Sequence, residues 1–281
     1  MANTLNSENQ FTLVIEAGRA GRHYWLDIWR YRDLFFFLVW RDILVRYKQT
    51  VIGVAWVVIR PIMTMLVFTL VFGKLAKLPS DGVPYSLMVF SGMLPWFFFA
   101  TALAESSNSM VTNSNLLSKV YFPRIIVPTS AIIVCLVDFF LSFLVLVPFM
   151  LYYGLFPGWK IVTIPFFLLI AVMATLGFGL WLSALNIKYR DFRFILPFIV
   201  QIGLYISPVG FSSNIVPEKW RLIYSLNPMV GVIDGFRWAL LGGNFKIHLP
   251  GLYASIVLTL IVFITGLSYF RRTERNFADL L

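Results

Sequence analysis

Apolar and polar positions in this chain fall into long blocks, not short alternations. Six apolar runs lie near residues 51–73, 85–104, 126–153, 161–187, 194–212 and 251–270. Each approaches or exceeds the roughly 20 residues that cross a ~30 Å hydrocarbon core as a helix. Inside lipid every main-chain N–H and C=O needs a partner within the protein, and a helix supplies it from its own segment. The period-two alternation of a membrane barrel is absent. The pattern therefore predicts an all-α integral membrane protein with six transmembrane helices. The longest polar intervals, residues 1–50 and 213–250, leave no room for a separate nucleotide-binding domain.

Three polar segments carry more pattern than a loop needs. In residues 21–50, helical projection puts Trp25, Leu26, Ile28 and Trp29 on one side and Asp27, Arg30 and Tyr31 on the other. That suits an N-terminal amphipathic interface helix with its rings at headgroup depth. Arg32 and Asp33 interrupt the apolar side, so a juxtamembrane linker that snorkels its arginines stays open as the alternative. Between the second and third runs, NSNLLSKVYFPRIIVP is half apolar and bracketed by Pro123 and Pro128. It predicts a short helix lying along the membrane and available to a partner. Between the fifth and sixth runs, Asn227-Pro228 reads as an N-cap with proline at the first helical position, and Gly242-Gly243 as the stop. The helix between is about 20 Å long and too short to cross. It carries Asp234 and Arg237, spaced to pair on one face. With Pro208, Pro217, Trp220 and Trp238 nearby, it predicts re-entrant helices on the outer side; an ordinary extracellular loop helix is the alternative.

Charge fixes the orientation. The chain is 59% hydrophobic with a net charge of +10, and its mean hydropathy is +0.81. With the N-terminus cytoplasmic, 15 Lys and Arg fall in inside segments and 7 in outside segments, which obeys the positive-inside rule. Both termini are then cytoplasmic. The polar start MANTLNSENQ does not read as a signal peptide. The single cysteine, Cys135, excludes an intrachain disulfide, and the distant His23 and His248 argue against a metal or catalytic histidine cluster. Arg60 and Asp138 are the ionisable residues deep in apolar runs, each about ten residues from the cytoplasmic edge. A charge there needs a partner or a cavity. Matching depth favours an intramembrane pair; the alternative places Arg60 on a channel wall.

The series GVAWVVIRP, SGMLPWFFF, NLLSKVYFPRIIVP, NIKYRDFR, YISPVGF and SLNPMVGVIDGFRWALL, in this order from about Arg41 to the C-terminus, resembles the permease subunit of ABC-2-type polysaccharide exporters. These carry O-antigen, capsule or teichoic acid. The resemblance implies a cytoplasmic N-terminal segment with its interface helix over 1–50, an ABC-2 type transmembrane domain over 51–271 and a cytoplasmic tail over 272–281. It implies a homodimer in the bacterial inner membrane, served by two copies of a separate ATP-binding subunit. No GxxxxGK[ST] phosphate loop occurs here, so ATP and Mg would be bound by the partner and no cofactor by this chain.

The family's coupling helix matches Leu116–Val127. An apolar ridge of Leu117, Val120 and Tyr121, with Phe122 and Pro123, would seat in the ATPase while Lys119 and Arg124 meet acidic groups. The resemblance places Asn227, Pro228, Asp234, Arg237 and Trp238 in a periplasmic gate. It implies a polyprenyl-diphosphate-linked polysaccharide as substrate, whose head group Arg41, Arg46, Lys48 and Arg190 would attract. Trp56, Phe68, Phe72, Trp96, Tyr205 and Phe211 are the candidate aromatic lining of the substrate channel. Lipid contact and interfacial anchoring explain such rings equally well. Membrane lipids are partners and nucleic acid is not. An ABC-2 permease for a small amphiphilic drug or lipid is the nearest competing reading. A membrane-embedded transferase would need an interfacial cluster of acids or histidines, and a proton-coupled carrier would need a relay around Asp138.

Overall fold

The computed structural model describes residues 24–48, 53–189, 191–242, 245–274 and 277. Among them the chain forms eleven α-helices and no strand. α1 (Tyr24–Arg30) and α2 (Arg32–Lys48) run nearly end to end, and α3 (Gly53–Phe68) continues into a π-helical stretch over Thr69–Leu75. α4 (Tyr85–Thr112) and the short α5 (Ser114–Lys119) precede α6 (Ile126–Tyr152). A 3₁₀ turn, Trp159–Thr163, leads into α7 (Ile164–Lys188), followed by α8 (Phe192–Ile206). α9 (Glu218–Tyr224) and α10 (Pro228–Leu240) come before α11 (Leu249–Thr273).

Among the described residues, five helical segments are long and apolar enough to cross a membrane: Ala55–Leu75, Tyr85–Thr112, Ile126–Tyr152, Trp159–Lys188 and Leu249–Thr273. The fifth expected span, 194–212, is shorter than its sequence suggests. α8 has 15 residues and stops at Ile206. At 1.5 Å per residue it reaches about 22 Å. Ser207 is extended, and the chain turns through Pro208–Phe211, where proline cannot prolong the hydrogen-bond ladder.

α4 is the central helix, packed by α6, α7, α10 and α3 and buried along most of its apolar length. It outruns its apolar stretch. Along its polar end the side chains of Asn108, Ser109 and Thr112 satisfy themselves by hydrogen-bonding back to the carbonyls of Ala104, Ser106 and Asn108. α3, α6 and α11 turn most of their apolar surface outward, as lipid-facing helices do.

Lipid supplies no hydrophobic drive for one helix to seek another, so close packing must hold the bundle. The tightest example joins α7 to α11. A Cβ on Gly266 would lie 2.2 Å from the Gly177 carbonyl oxygen, and one on Gly177 would lie 2.7 Å from the Phe263 nitrogen. Both glycines are there to let two backbones touch. Replacing Gly266 by Leu is expected to cost about 1–3 kcal/mol through overpacking, since main chain cannot step aside as a flexible side chain does. The check is the thermal unfolding midpoint in detergent beside that of Ser268→Leu.

Candidate functional site

One end of the bundle is built around the segment after α4. The expected helix over Leu116–Val127 is two pieces: α5 ends at Lys119, Val120 is extended, and α6 starts at Ile126. Pro123 has no N–H to donate and disfavours a helical Phe122 before it, so a continuous helix cannot form. Leu117 does not join the outward ridge. It is only 6% exposed, as buried as Phe122, in a cluster with Tyr24, Leu38, Ile126, Phe270 and Phe277. Pro123 is buried too. What faces outward is a narrow tip: Lys119, Val120 at 46% and Tyr121 at 71% exposure.

Arg124 turns the other way. Its main-chain N–H donates to Glu274 Oε1 at 2.7 Å and its guanidinium donates to the Glu274 carbonyl at 2.9 Å. The Tyr24 hydroxyl donates to Glu274 Oε2 at 3.0 Å. Burial raises the Glu274 carboxyl pKa, while the Arg124 N–H and the Tyr24 hydroxyl oppose that rise. On α1, Tyr24 is buried and Ile28 packs against the bundle, while Trp25, Leu26 and Trp29 stay exposed on its outward side. Two of these three exposed side chains are indole rings.

The expected pair between Arg60 and Asp138 does not form. Arg46, in the last turn of α2, lies 2.5 Å from Asp138 and 2.9 Å from Glu105, and the Tyr47 hydroxyl donates to the second Asp138 oxygen. α2 packs along α6 and brings its own arginine to the acid, so the counter-charge comes from outside the apolar runs. Arg60 is exposed on α3, its guanidinium 5.4 Å from the Phe97 ring centroid. Arg41 is likewise occupied, by Asp42 at 2.7 Å and Asn113 at 3.0 Å. Lys48 is exposed, and Arg190 lies outside the described residues, as does Gly243.

The six candidate lining aromatics separate. Phe68 stands against Phe72 at 5.2 Å and Tyr205 at 6.5 Å between ring centroids. Phe68 and Trp96 are buried: Trp96 fills the space that Gly203 leaves on α8. Those two rings pack helices together and do not line an open path. Trp56 and Tyr205 are exposed, and Phe72 and Phe211 half-buried.

At the opposite end the Asn227 side chain accepts from the Met229 N–H at 3.0 Å and donates to Ser207 Oγ at 2.9 Å. Pro228 opens α10, and Gly242, at φ +58, ends it as the sequence predicts. Asp234 and Arg237 do not form a direct ion pair. Arg237 is fully buried and donates to three carbonyls: Met88 at 3.1 Å, Val209 at 2.8 Å and Phe211 at 2.8 Å. The Tyr85 hydroxyl donates to the Gly210 carbonyl between them. The turn after α8 has no helical partners of its own, so α10 and α4 provide them. Trp238 is half-buried beneath the Lys160 ammonium, 4.7 Å from its ring centroid.

Glu105, Tyr47 and Glu274 were missed by sequence reasoning. The only signal for Glu105 was an acid following an apolar run, and Glu274 sat in what read as a tail.

Three substitutions separate these roles. Arg46→Gln is expected to lose about 2–3 kcal/mol, less than a fully buried pair, because it strands Asp138. Arg60→Gln should leave the unfolding midpoint in detergent nearly unchanged. Arg237→Met strands the Val209 and Phe211 carbonyls at roughly 1–3 kcal/mol each, while the Met88 carbonyl keeps the Ser91 hydroxyl. Its expected signature is a large fall in the same midpoint, only partly restored by Lys.

The ABC-2 type transporter family profile matches residues 33–241. An O-antigen export system permease protein of Klebsiella pneumoniae is 27% identical, over 89% of this chain and 95% of its own length. A protein of the same description from Myxococcus xanthus is 30% identical, over 75% of this chain and 81% of its own. A polysialic acid transport protein of Escherichia coli is 21% identical, over 83% and 91% respectively. A family match across most of the chain, on a bundle of long apolar helices, makes this protein a member of the ABC-2 type transporter membrane family.

Proposed function

We propose that the chain is the channel-forming permease of an ABC exporter that moves a polyprenyl-diphosphate-linked polysaccharide across the bacterial inner membrane. The observation that carries this reading is collinearity, nearly end to end, with permeases named for O-antigen export. ATP hydrolysis belongs to a separate subunit. Two copies of this chain and two of that subunit form the working unit, and the channel lies between the two copies.

In this arrangement α8 and the turn after it make the sixth crossing, which leaves both termini cytoplasmic, as the Lys and Arg distribution requires. α9, α10 and the turn that Arg237 holds are the outer gate. The exposed tip of Lys119, Val120 and Tyr121 docks on the ATPase: two apolar side chains seat in a groove and the lysine meets an acid. Trp56, Arg60 and Tyr205 are exposed on α3 and α8 and border the path of the polymer. Such a path suits many weak contacts along a sliding chain better than one deep site.

Deleting the gene should trap lipid-linked glycopolymer on the cytoplasmic side, and this chain with its ATPase should restore it to the surface. Tyr121→Asp should fail to restore it and weaken ATPase co-purification about tenfold or more, because a charge replaces an apolar anchor. Its unfolding midpoint should not move. Normal surface polymer in the deletion strain, with no second exporter present, overturns the reading and brings export of a small amphiphile forward.

A further inference from the structure

Glu274 holds together three segments that are remote in sequence. Its Oε2 accepts from Tyr24, 250 positions away, and its Oε1 accepts from the Arg124 N–H, 150 positions away. The Arg124 guanidinium closes the loop on the Glu274 carbonyl. Around this carboxylate Phe270 and Phe277 are fully buried and meet edge to face at 5.5 Å. Arg271 lies over the Tyr24 ring at 4.6 Å, and Arg124 over the Phe277 ring at 5.8 Å. All three bonds are part-buried, where a hydrogen bond is electrostatically stronger than in open water.

The three segments are the interface helix, the base of the exposed tip and the cytoplasmic end of α11. Only Phe122 and Pro123 separate Tyr121 from Arg124, and both are buried. A push on the tip therefore has little slack before it reaches Arg124. α11 in turn touches α7 backbone to backbone at Gly177 and Gly266, so a displaced α11 carries α7 with it. Apolar packing alone would fasten α11 to the bundle, as the surrounding cluster already does. The carboxylate adds a direct bond from α11 to each of the other two segments.

We propose that Glu274 is a positioning residue for energy coupling: it makes the interface helix, the coupling segment and α11 one mechanical body, so that movement of the tip is delivered to α11. The proposal rests on the reading of the Lys119–Tyr121 tip as the ATPase contact. It requires that loosening Glu274 separate hydrolysis from transport. A residue needed only for folding would lower both together.

The test uses the full chain with its ATPase in proteoliposomes, reading polymer moved per ATP hydrolysed. Glu274→Ala should keep ATP hydrolysis near the wild-type rate while polymer per ATP falls about tenfold, a usual size for a coupling interaction. Glu274→Gln should retain most of the coupling: its carbonyl still accepts from Arg124, and its amide donates to Tyr24. Wild-type polymer per ATP in Glu274→Ala overturns the proposal, and so does a proportional loss of hydrolysis and export at normal protein level. If Glu274→Ala does not accumulate in the membrane, Tyr24→Phe decides, since it removes one hydroxyl only. A reduced ratio supports the proposal and an unchanged ratio overturns it. A wild-type complex that hydrolyses ATP but moves no polymer overturns the export reading and this proposal with it. Failure in Glu274→Ala alone concerns only the proposal.

Discussion

A single buried guanidinium makes the outer half of this bundle possible. Irregular backbone at membrane depth leaves carbonyls unpaired, and each is costly where water cannot reach it. Arg237 meets Val209, Phe211 and Met88 at once, and its planar fork of five donors suits such a task where a lysine's point charge does not. Room for it is provided at Gly92, where a Cβ would come within 2.9 Å of the guanidinium. The chain can therefore turn after a helix too short to cross and fold α10 back against α4. Tyr85 supplies the donor for another carbonyl of the turn, that of Gly210. The whole outer arrangement follows from satisfying main-chain groups in a medium that offers no partners.

The opposite end solves the reverse problem. There a carboxylate, not a cation, gathers donors, and its partners come from segments 150 and 250 positions away in the chain. Halfway between the ends, Arg46 draws α2, α4 and α6 together through Glu105 and Asp138. Each polar knot joins elements distant in the chain, and close packing such as that at Gly177 and Gly266 fits the faces between them. In lipid, packing and such polar contacts together fix which helices are neighbours.

The sequence made the helical bundle legible because apolar runs of membrane length permit little else. It also marked α10, through Asn227-Pro228 at one end and Gly242 at the other, since caps are local chemistry. Partners across the bundle were not legible. Asp138 looked paired with Arg60 when depth was counted only within apolar runs, yet its cation came from a helix that precedes them. Leu117 looked like a contact residue because a half-apolar segment does not reveal which side turns inward; the bundle took it. Glu274 carried no periodic signal, because its importance lies in two contacts more than a hundred residues away. The length of α8 was overread because Pro208 and Gly210 interrupt an otherwise apolar run.

The π-helical stretch at the end of α3 has a geometric consequence. An i→i+5 ladder takes more residues per turn than an α-helix, so side chains beyond Thr69 fall progressively behind the stripe set by residues 53–68. α3 meets α4 along both its α-helical part and the π stretch, and meets α6 and α2 along the α-helical part. The change of winding thus re-aims the side chains at the far end of the helix while α4 stays its neighbour. A hydrophobic stripe extrapolated from Trp56 through Met63 would name the wrong residues at the outer end.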